Sequence, residues 1–333
     1  MTTSYRALVV TEDDSGQFKQ TVSDLPFDNL PDNDVLIKVH YSSLNYKDAM
    51  SAFGNKGVTR QYPHTPGIDA AGVVISDRSG NFTEHNKVLV FGYDLGMNTP
   101  GGLAEYICVP ANWVVPCPTN VSLSDAMIYG TGGLTAALCI EKLLTMGAKP
   151  SDGPVAVTGA TGGVGSISVA LLHKLGFEVI AFSGKDDTSL LLKLGANEVL
   201  HRDRINDIGD KPLGKGLYGH AIDTLGGDYL ANLVKQLKPN GGVAACGLAA
   251  SASFSLNVFP FITRGVSILG VDSVNIPLTE KARMWELVAD KYALADIHML
   301  ATTISLDQVI EVLPKFFNGQ VTGRYLVSIG AEG

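Results

Sequence analysis

The segment Val155-Ala-Val-Thr-Gly-Ala-Thr-Gly-Gly-Val-Gly165, continued by Ser-Ile-Ser-Val-Ala-Leu-Leu-His-Lys-Leu175, constrains this chain more than any other. It is an apolar strand, a glycine-rich turn and a helical pattern in unbroken succession. Glycines spaced this way let a backbone turn tightly, approach a pyrophosphate and begin a helix close against its sheet. The helix N-terminus then offers free N–H groups and the positive end of a dipole to the phosphates. The glycine spacing alone is weak evidence; the strand before it and the helix after it supply the context the motif needs.

A length of 333 residues exceeds what one hydrophobic core usually sustains, so two domains are expected. With 45% hydrophobic residues and 37 glycines the chain reads as a turn-rich α/β globule with a substantial core. A formal net charge of −8 argues against nucleic-acid or anionic-membrane partners, so an anionic ligand must be met by local groups. Cys108, Cys117, Cys139 and Cys246 contain no Cys-x-x-Cys pair. They indicate neither a metal site nor a disulfide framework, and reduced, buried thiols in a cytoplasmic protein are expected. The opening Met-Thr-Thr-Ser-Tyr-Arg runs straight into Ala-Leu-Val-Val without a leader pattern. No stretch is expected to approach the roughly 20 apolar residues that cross a bilayer.

The first third reads as short strands over Tyr5–Val10, Val35–Val39, Gly72–Ile75 and Lys87–Phe91, parted by turn clusters such as Leu30–Asp34 and Asp77–Asn81. Many short strands with few helical patterns predict a partly open β-barrel. The character changes near Ser122. A helical segment begins at Ser124, and Leu134–Thr145 reads as an amphipathic helix ended by Gly147 and Pro150. Strands and helices then alternate. Strands are predicted over Pro154–Thr158, Glu178–Ser183, Glu198–Leu200, His220–Thr224, Gly242–Gly247 and Ser267–Gly270, and helices over Thr188–Leu194 and Tyr229–Leu237. Such alternation implies a doubly wound parallel sheet with right-handed crossovers. The tail predicts helices over Glu280–Asp290 and Leu306–Asn318, and a last strand, Gly323–Ile329, returning to the first domain. The expected division is 1–125 with 271–333, and 126–270.

Charge at the end of the second strand speaks to the cofactor. NAD-binding sheets place an acidic residue there, about 20 positions past the glycine turn, on the ribose 2′-hydroxyl. Here Glu178-Val-Ile-Ala-Phe-Ser183 runs into Gly184-Lys185. A carboxylate would repel a 2′-phosphate, whereas a hydroxyl and an ammonium accept one, so NADPH is expected. Arg202, past the third strand, either reaches the same phosphate or is a surface charge. Asp186 and Asp187 follow at once, and a different turn would bring one of them inward.

Further strings lie along the chain: Ser42-Ser-Leu-Asn-Tyr-Lys-Asp48, Pro63-His-Thr-Pro-Gly-Ile-Asp-Ala-Ala-Gly72, Gly101-Gly-Leu-Ala-Glu105, Thr131-Gly-Gly-Leu-Thr-Ala136, Ala245-Cys-Gly-Leu248 and Gly270-Val-Asp-Ser273. With the glycine turn, they resemble the zinc-free, quinone-oxidoreductase-like branch of the medium-chain dehydrogenase/reductase superfamily, nearest to the NADPH-dependent acrylyl-CoA reductases. The resemblance implies a GroES-like, partly open β-barrel catalytic domain, an inserted Rossmann domain, and a cleft between them. It implies reduction of the 2,3-double bond of acrylyl-CoA to propanoyl-CoA. On that likeness Tyr46 lies against the cofactor, and Thr161, Gly162, Gly163 and Val164 hold the pyrophosphate. Ser183, Gly184, Lys185 and Arg202 grip the adenosine 2′-phosphate, and Leu248, Ile262 and Ser273 lie near the nicotinamide. Asn318, in Asn318-Gly-Gln-Val-Thr-Gly-Arg324, completes the set. Relatives commonly carry arginine where this chain has Lys185, which keeps a cation but loses a bidentate fork. Gly319 replaces a polar residue. A homodimer is implied, with Ser267–Gly270 as an edge for sheet extension.

Zinc-dependent relatives place Gly-His-Glu where this chain has Gly67-Ile68-Asp69, and they carry a four-cysteine lobe absent here. No metal is expected. Hydride addition to a simple ketone builds a localised alkoxide that favours a Lewis acid. Addition to an activated alkene spreads the charge over an enolate that a few hydrogen-bond donors can steady. Tyr46 and Asn45 are the candidate catalytic donors; a tyrosine packed at a domain edge is the structural alternative, and water can supply the proton to carbon.

Other residues keep two readings each. Asp48 orients Lys47 or Asn45, or closes a turn, and Asp69 stabilises its loop. Asp223 faces the cofactor or caps the next helix, and Arg264 serves dimerisation or substrate. Lys56 and Arg60 meet the CoA phosphates or form a solvated face. Two other functions stay open: reduction of quinones or free enals and enones, and a non-catalytic NADPH-binding role of the crystallin kind.

Overall fold

A computed structural model describes residues 3–330. Met1 and Thr2, which open the segment inspected for a leader, lie outside the described residues. Two compact units are present: one runs to Thr131 and resumes at Val274, and the other is Gly132–Ser273.

The first unit begins with β1 (Ser4–Glu12) and β2 (Phe18–Pro26), an antiparallel pair. Asp13 closes the turn between them, its Oδ1 accepting the N–H groups of Ser15 at 2.8 Å and Gln17 at 2.9 Å. Then come β3 (Val35–Ser43), α1 (Tyr46–Ala52), β4 (Asp69–Asp77), β5 (Lys87–Phe91), β6 (Tyr106–Val109) and β7 (Val114–Pro116). The element α2 (Leu123–Thr145) follows, its residues from Gly132 onward belonging to the second unit, and it is interrupted at Gly130, whose φ of 49° and ψ of −158° are not helical. Two expectations fail here. Residues 132–140 are buried without a break, so this helix is not amphipathic. By length and composition α2 is also apolar enough to cross a membrane, but 83% of its apolar window is buried inside the protein, which makes it a core helix.

The second unit carries β8 (Val155–Val157), α3 (Gly163–Lys174), β9 (Val179–Ser183), α4 (Ser189–Lys193), β10 (Glu198–His201), β11 (His220–Asp223), α5 (Gly227–Lys235), β12 (Gly242–Ala245), α6 (Phe259–Arg264) and β13 (Ser267–Gly270). Its six strands are all parallel, in the order β10-β9-β8-β11-β12-β13. Successive strands run outward from β8 in one direction and then in the other. The carboxyl ends beside β8 are therefore the topological switch point, where doubly wound sheets bind ligands. Phe182, Ala221, Leu233, Val234 and Val243 pack one side of this sheet into a core.

The tail supplies α7 (Leu278–Ala289), β14 (Ala301–Ser305), α8 (Val309–Phe317) and β15 (Arg324–Ser328). β15 runs antiparallel to β3, with Leu326 opposite Ser43. The seven-stranded sheet has the order β14-β15-β3-β4-β5-β7, and β6 also pairs with β3. Leu8, Leu44, Leu103, Val309, Leu313 and Val327 form a core that binds the tail to the first strands. Four strands escaped the sequence reading. β14, Ala-Thr-Thr-Ile-Ser, buries only Ile304, so it shows no apolar alternation to detect. β2 has no fully buried residue at all, and β6 and β7 are four and three residues long.

Candidate active site

The glycine turn leaves β8 and enters α3 at Gly162, which precedes the first helical residues Gly163 and Val164. A Cβ on Gly165 would lie 2.3 Å from the Gly159 carbonyl oxygen and 2.7 Å from Ala160 Cα, so loop and helix touch as only glycine permits. The first turn of α3 holds no acidic residue, and His173 and Lys174 stand in its last turn. The positive dipole end is thus left for an anion. Beside the turn, Thr158 Oγ1 donates to Asp223 Oδ1 at 2.7 Å and Gly226 N–H donates to Asp223 Oδ2 at 2.8 Å. Asp223 therefore closes the turn into α5, and burial raises its pKa.

At the end of β9 the buried Ser183 hydroxyl accepts the Lys185 N–H at 3.0 Å and lies 3.4 Å from Thr161 Oγ1. Arg202 reaches across: the position of a Cβ on Gly184 is 3.0 Å from Arg202 Nε. Lys185 is half-buried, and desolvation lowers its pKa. Asp187 is engaged elsewhere, accepting the Ser189 N–H at 3.0 Å at the start of α4. The Ser183 hydroxyl and the Arg202 guanidinium thus flank Gly184 at one strand end, with Lys185 next in the chain, residue types suited to a phosphate.

In the first unit a buried polar network surrounds the start of α1. Asp69 Oδ2 accepts from Ser43 Oγ at 2.5 Å, Asn45 Nδ2 at 2.8 Å and Thr131 N–H at 2.9 Å, and Thr131 Oγ1 donates to Oδ1. Arg324 Nη2 is 3.8 Å from Asp69 Oδ2 and donates to Ser43 Oγ at 2.8 Å. Its Nη1 donates to Asn45 Oδ1 at 3.1 Å and its Nε to the Ile128 carbonyl at 3.0 Å. Gly130 completes the enclosure: a Cβ there would lie 2.6 Å from Asp69, Ser43 and Arg324 atoms alike, and its φ is positive. Asp48, also buried, accepts the N–H groups of Asn45 at 2.7 Å and Ile68 at 2.9 Å. Burial, aided by the charge of Asp69, pushes the Asp48 carboxyl up to about 7, and burial lowers the pKa of Arg324.

This geometry alters one expectation. Asn45 Nδ2 donates to Asp69 and, at 3.4 Å, to the Ser43 carbonyl, so both amide protons are committed inside the network. Asn45 is placed to hold α1, not to reach a substrate. Tyr46, the next residue, is 45% exposed, and its hydroxyl makes no hydrogen bond among the described residues. Its ring stands edge-on to Phe317 at 5.5 Å, and Phe53 meets Phe317 at 5.4 Å. Asn318 follows Phe317 at the end of α8, so Tyr46 and Asn318 share one side of the unit.

The donor set at Gly67-Ile68-Asp69 does not suit zinc, since Ile68 has no ligand atom and both Asp69 oxygens are engaged. Among the described residues, no group of three or more His, Cys, Asp and Glu side chains is placed to hold a metal.

Residues 31–119 match the alcohol dehydrogenase GroES-like domain, and residues 163–290 match the domain described as zinc-binding dehydrogenase. An Escherichia coli (strain K12) protein named "Probable acrylyl-CoA reductase AcuI" is 41% identical over 97% of this chain and 99% of its own. A Bacillus subtilis (strain 168) protein, YhfP, whose name places it among quinone oxidoreductases, is 40% identical over 99% of this chain and 100% of its own. The chain belongs to the medium-chain dehydrogenase/reductase family. It is an oxidoreductase with a GroES-like first unit and a Rossmann-like parallel sheet. The Salmonella enterica yhdH oxidoreductase, solved in complex with NADP, superposes with a TM-score of 0.94 at 42% identity over 98% of this chain and 100% of its own. B. subtilis yhfP, solved with NAD bound, superposes with a TM-score of 0.95 at 38% identity over 98% of this chain and 100% of its own.

Within this medium-chain dehydrogenase/reductase frame, other expected residues take varied places. Leu248 and Ile262 are exposed on the second unit, and Ser273 accepts a hydrogen bond from Thr135 Oγ1 at 2.8 Å. Arg264 donates to the Leu237 carbonyl at 2.9 Å and to the Gly214 carbonyl, stapling the end of α5, which neither expected role foresaw. Lys56 pairs with Glu12 at 2.5 Å. The cysteines are unbridged, but only Cys139 is buried, and the other three are half-buried. Arg324 was missed as a functional residue. Its signal was a lone cation opening an apolar strand, matched by a lone acid inside Gly67-Ile-Asp-Ala-Ala-Gly72.

Proposed function

We propose that this chain is an NADPH-dependent reductase that converts acrylyl-CoA to propanoyl-CoA. The observation that carries the cofactor half is the end of β9, where Ser183, Lys185 and Arg202 gather and Asp187 is turned to α4. A dinucleotide lying over Gly162–Gly165 would bring its adenosine 2′-phosphate there. Thr161, Gly162, Gly163 and Val164 would hold the pyrophosphate, with Leu248, Ile262, Ser273, Tyr46 and Asn318 contributing further contacts. The substrate half is supported by the relative named for acrylyl-CoA reduction, 41% identical over nearly the whole chain.

NADPH, when bound, would supply the hydride that the terminal alkene carbon accepts. The chain's own part is to steady the charge that gathers on the thioester oxygen. Tyr46 is the proposed donor, since its phenol is open while Asn45 is engaged. The Asp69–Arg324 network acts one step back by fixing Asn45 and hence the first turn of α1. A proton from water at the α-carbon then completes the propanoyl thioester.

A second reading, quinone reduction, is favoured by the name of the 40% identical relative. Oxidation of NADPH, followed with acrylyl-CoA, crotonyl-CoA and a benzoquinone, decides between them. Selective turnover of acrylyl-CoA is expected. Turnover of benzoquinone alone would overturn the substrate, and equal use of NADH would overturn the cofactor. A homodimer joined along the edge strand β13 and a cytoplasmic setting belong to the same proposal; light scattering tests the first and cell fractionation the second.

A further inference from the structure

We propose that Tyr229 sets the preference for a 2′-phosphorylated dinucleotide by keeping Arg202 uncommitted beside Gly184. This rests on the cofactor reading above and adds a specificity-determining residue to it. Four exposed arginines pair with carboxylates, Arg204 with Asp207 at 2.5 Å, Arg283 with Glu280 at 2.7 Å, Arg78 with Asp32 at 2.7 Å and Arg6 with Asp307 at 2.8 Å, whereas exposed Arg60, which has no acidic chain neighbour, makes no ion pair among the described residues. Arg202 is exposed and has Asp203 as its chain neighbour, yet it makes no ion pair among the described residues.

Tyr229, on α5, accounts for the difference twice over. Its hydroxyl donates to Asp203 Oδ1 at 2.9 Å, drawing the competing carboxylate toward α5. Its ring meets the Arg202 guanidinium carbon 5.9 Å from the ring centroid, within cation–π range. The ring is itself half-buried against the core of the second unit, so the platform is fixed. On Gly184, the place of a Cβ lies 3.1 Å from the same guanidinium carbon, so Arg202 is held close over the end of β9. A guanidinium with no carboxylate partner, supported by a ring and next to Ser183 and Lys185, keeps its N–H fork for a phosphate dianion. Were Asp203 free to swing, it would pair with Arg202 and place a negative charge where the phosphate must come.

Calorimetric binding of 2′,5′-ADP and 5′-AMP to the full chain tests this without turnover. Wild type should bind 2′,5′-ADP more tightly. Tyr229→Leu should weaken 2′,5′-ADP by about 5- to 10-fold and leave 5′-AMP unchanged, as loss of a cation–π contact and release of a carboxylate predict. Tyr229→Phe keeps the ring and frees Asp203, so it should lose part of the preference, and adding Asp203→Asn should restore it. The circular dichroism spectrum checks that each variant is folded, and Tyr229→Phe carries the test if Tyr229→Leu is not. An unchanged ratio of the two affinities in both variants, or equal weakening of both ligands, overturns the role of Tyr229. A wild type that does not discriminate the two ligands overturns the cofactor reading itself.

Discussion

Asp69 and Arg324 face each other at 3.8 Å with almost no access to water, one opening β4 and the other opening the last strand of the chain. Ser43 Oγ stands between them, donating to the carboxylate and accepting from the guanidinium. Removing two ions from water costs several kcal/mol each, and such a pair persists only when its remaining hydrogen-bonding capacity is also satisfied. Here Asn45, Thr131 and the Ile128 carbonyl provide that satisfaction. Asn45 immediately precedes α1, so the ion pair and the position of Tyr46 are parts of one construction.

Arg324→Met is expected to destabilise the protein by about 3–5 kcal/mol, because it strands the Asp69 charge in a low-dielectric interior beside Asp48. The double variant Asp69→Asn/Arg324→Met should recover part of that loss. Urea unfolding of the three proteins measures it. A double variant no more stable than Arg324→Met alone would show that the stranded charge is not the cause.

Legibility in the sequence followed the range of the forces involved. The β8–turn–α3 unit and the cationic end of β9 were readable because periodicity, glycine spacing and charge act within a few residues. The Asp69–Arg324 pair was not, since each residue alone reads as a charge at a strand end and only the antiparallel pairing of β3 with both β15 and β4 brings them together. The same holds for Asn45, whose amide looks available until the fold closes Ser43, Asp69 and Arg324 around it. Tyr229 read as the first residue of a helix, and nothing nearby in the chain announces that its ring meets Arg202.

The Asp48 carboxyl gives a pH dependence with a definite sign. Its pKa rises from 3.8 to about 7, chiefly through burial and secondly through Asp69. Between about pH 4 and 7 the unfolded chain has released this proton while the folded chain keeps it, so stability falls as pH rises through that window and levels off above it. The slope is at most about 1.4 kcal/mol per pH unit. Asp48→Asn removes the slope, so the stability of the variant relative to wild type should climb from pH 4 to 8. Parallel profiles in thermal unfolding would refute this assignment.

Lys281 offers a separate test of the first unit. This fully buried side chain donates to the carbonyls of Phe91 at 2.6 Å and Val274 at 2.9 Å, and its ammonium lies over the Tyr93 ring. Lys281→Met leaves those carbonyl lone pairs without their donor, which costs about 1–3 kcal/mol. Amide exchange should accelerate at Tyr93, whose N–H donates to the same Val274 carbonyl at 3.1 Å. Exchange in the β8–β9 pair should not change.

Tyr46 carries the chemical burden of the proposed reaction, so its hydroxyl and its ring must be separable. Tyr46→Phe retains the edge-on contact with Phe317 and the exposed aromatic surface, and removes only the donor. Loss of a donor to a developing oxyanion lowers kcat by roughly 100-fold or more, while KM for NADPH should hold because the ring remains. Tyr46→Leu removes ring and hydroxyl together and should raise KM as well. Steady-state kinetics with acrylyl-CoA distinguish the two variants, and a Tyr46→Phe enzyme with unaltered kcat would move the stabilising donor to a backbone N–H or to solvent.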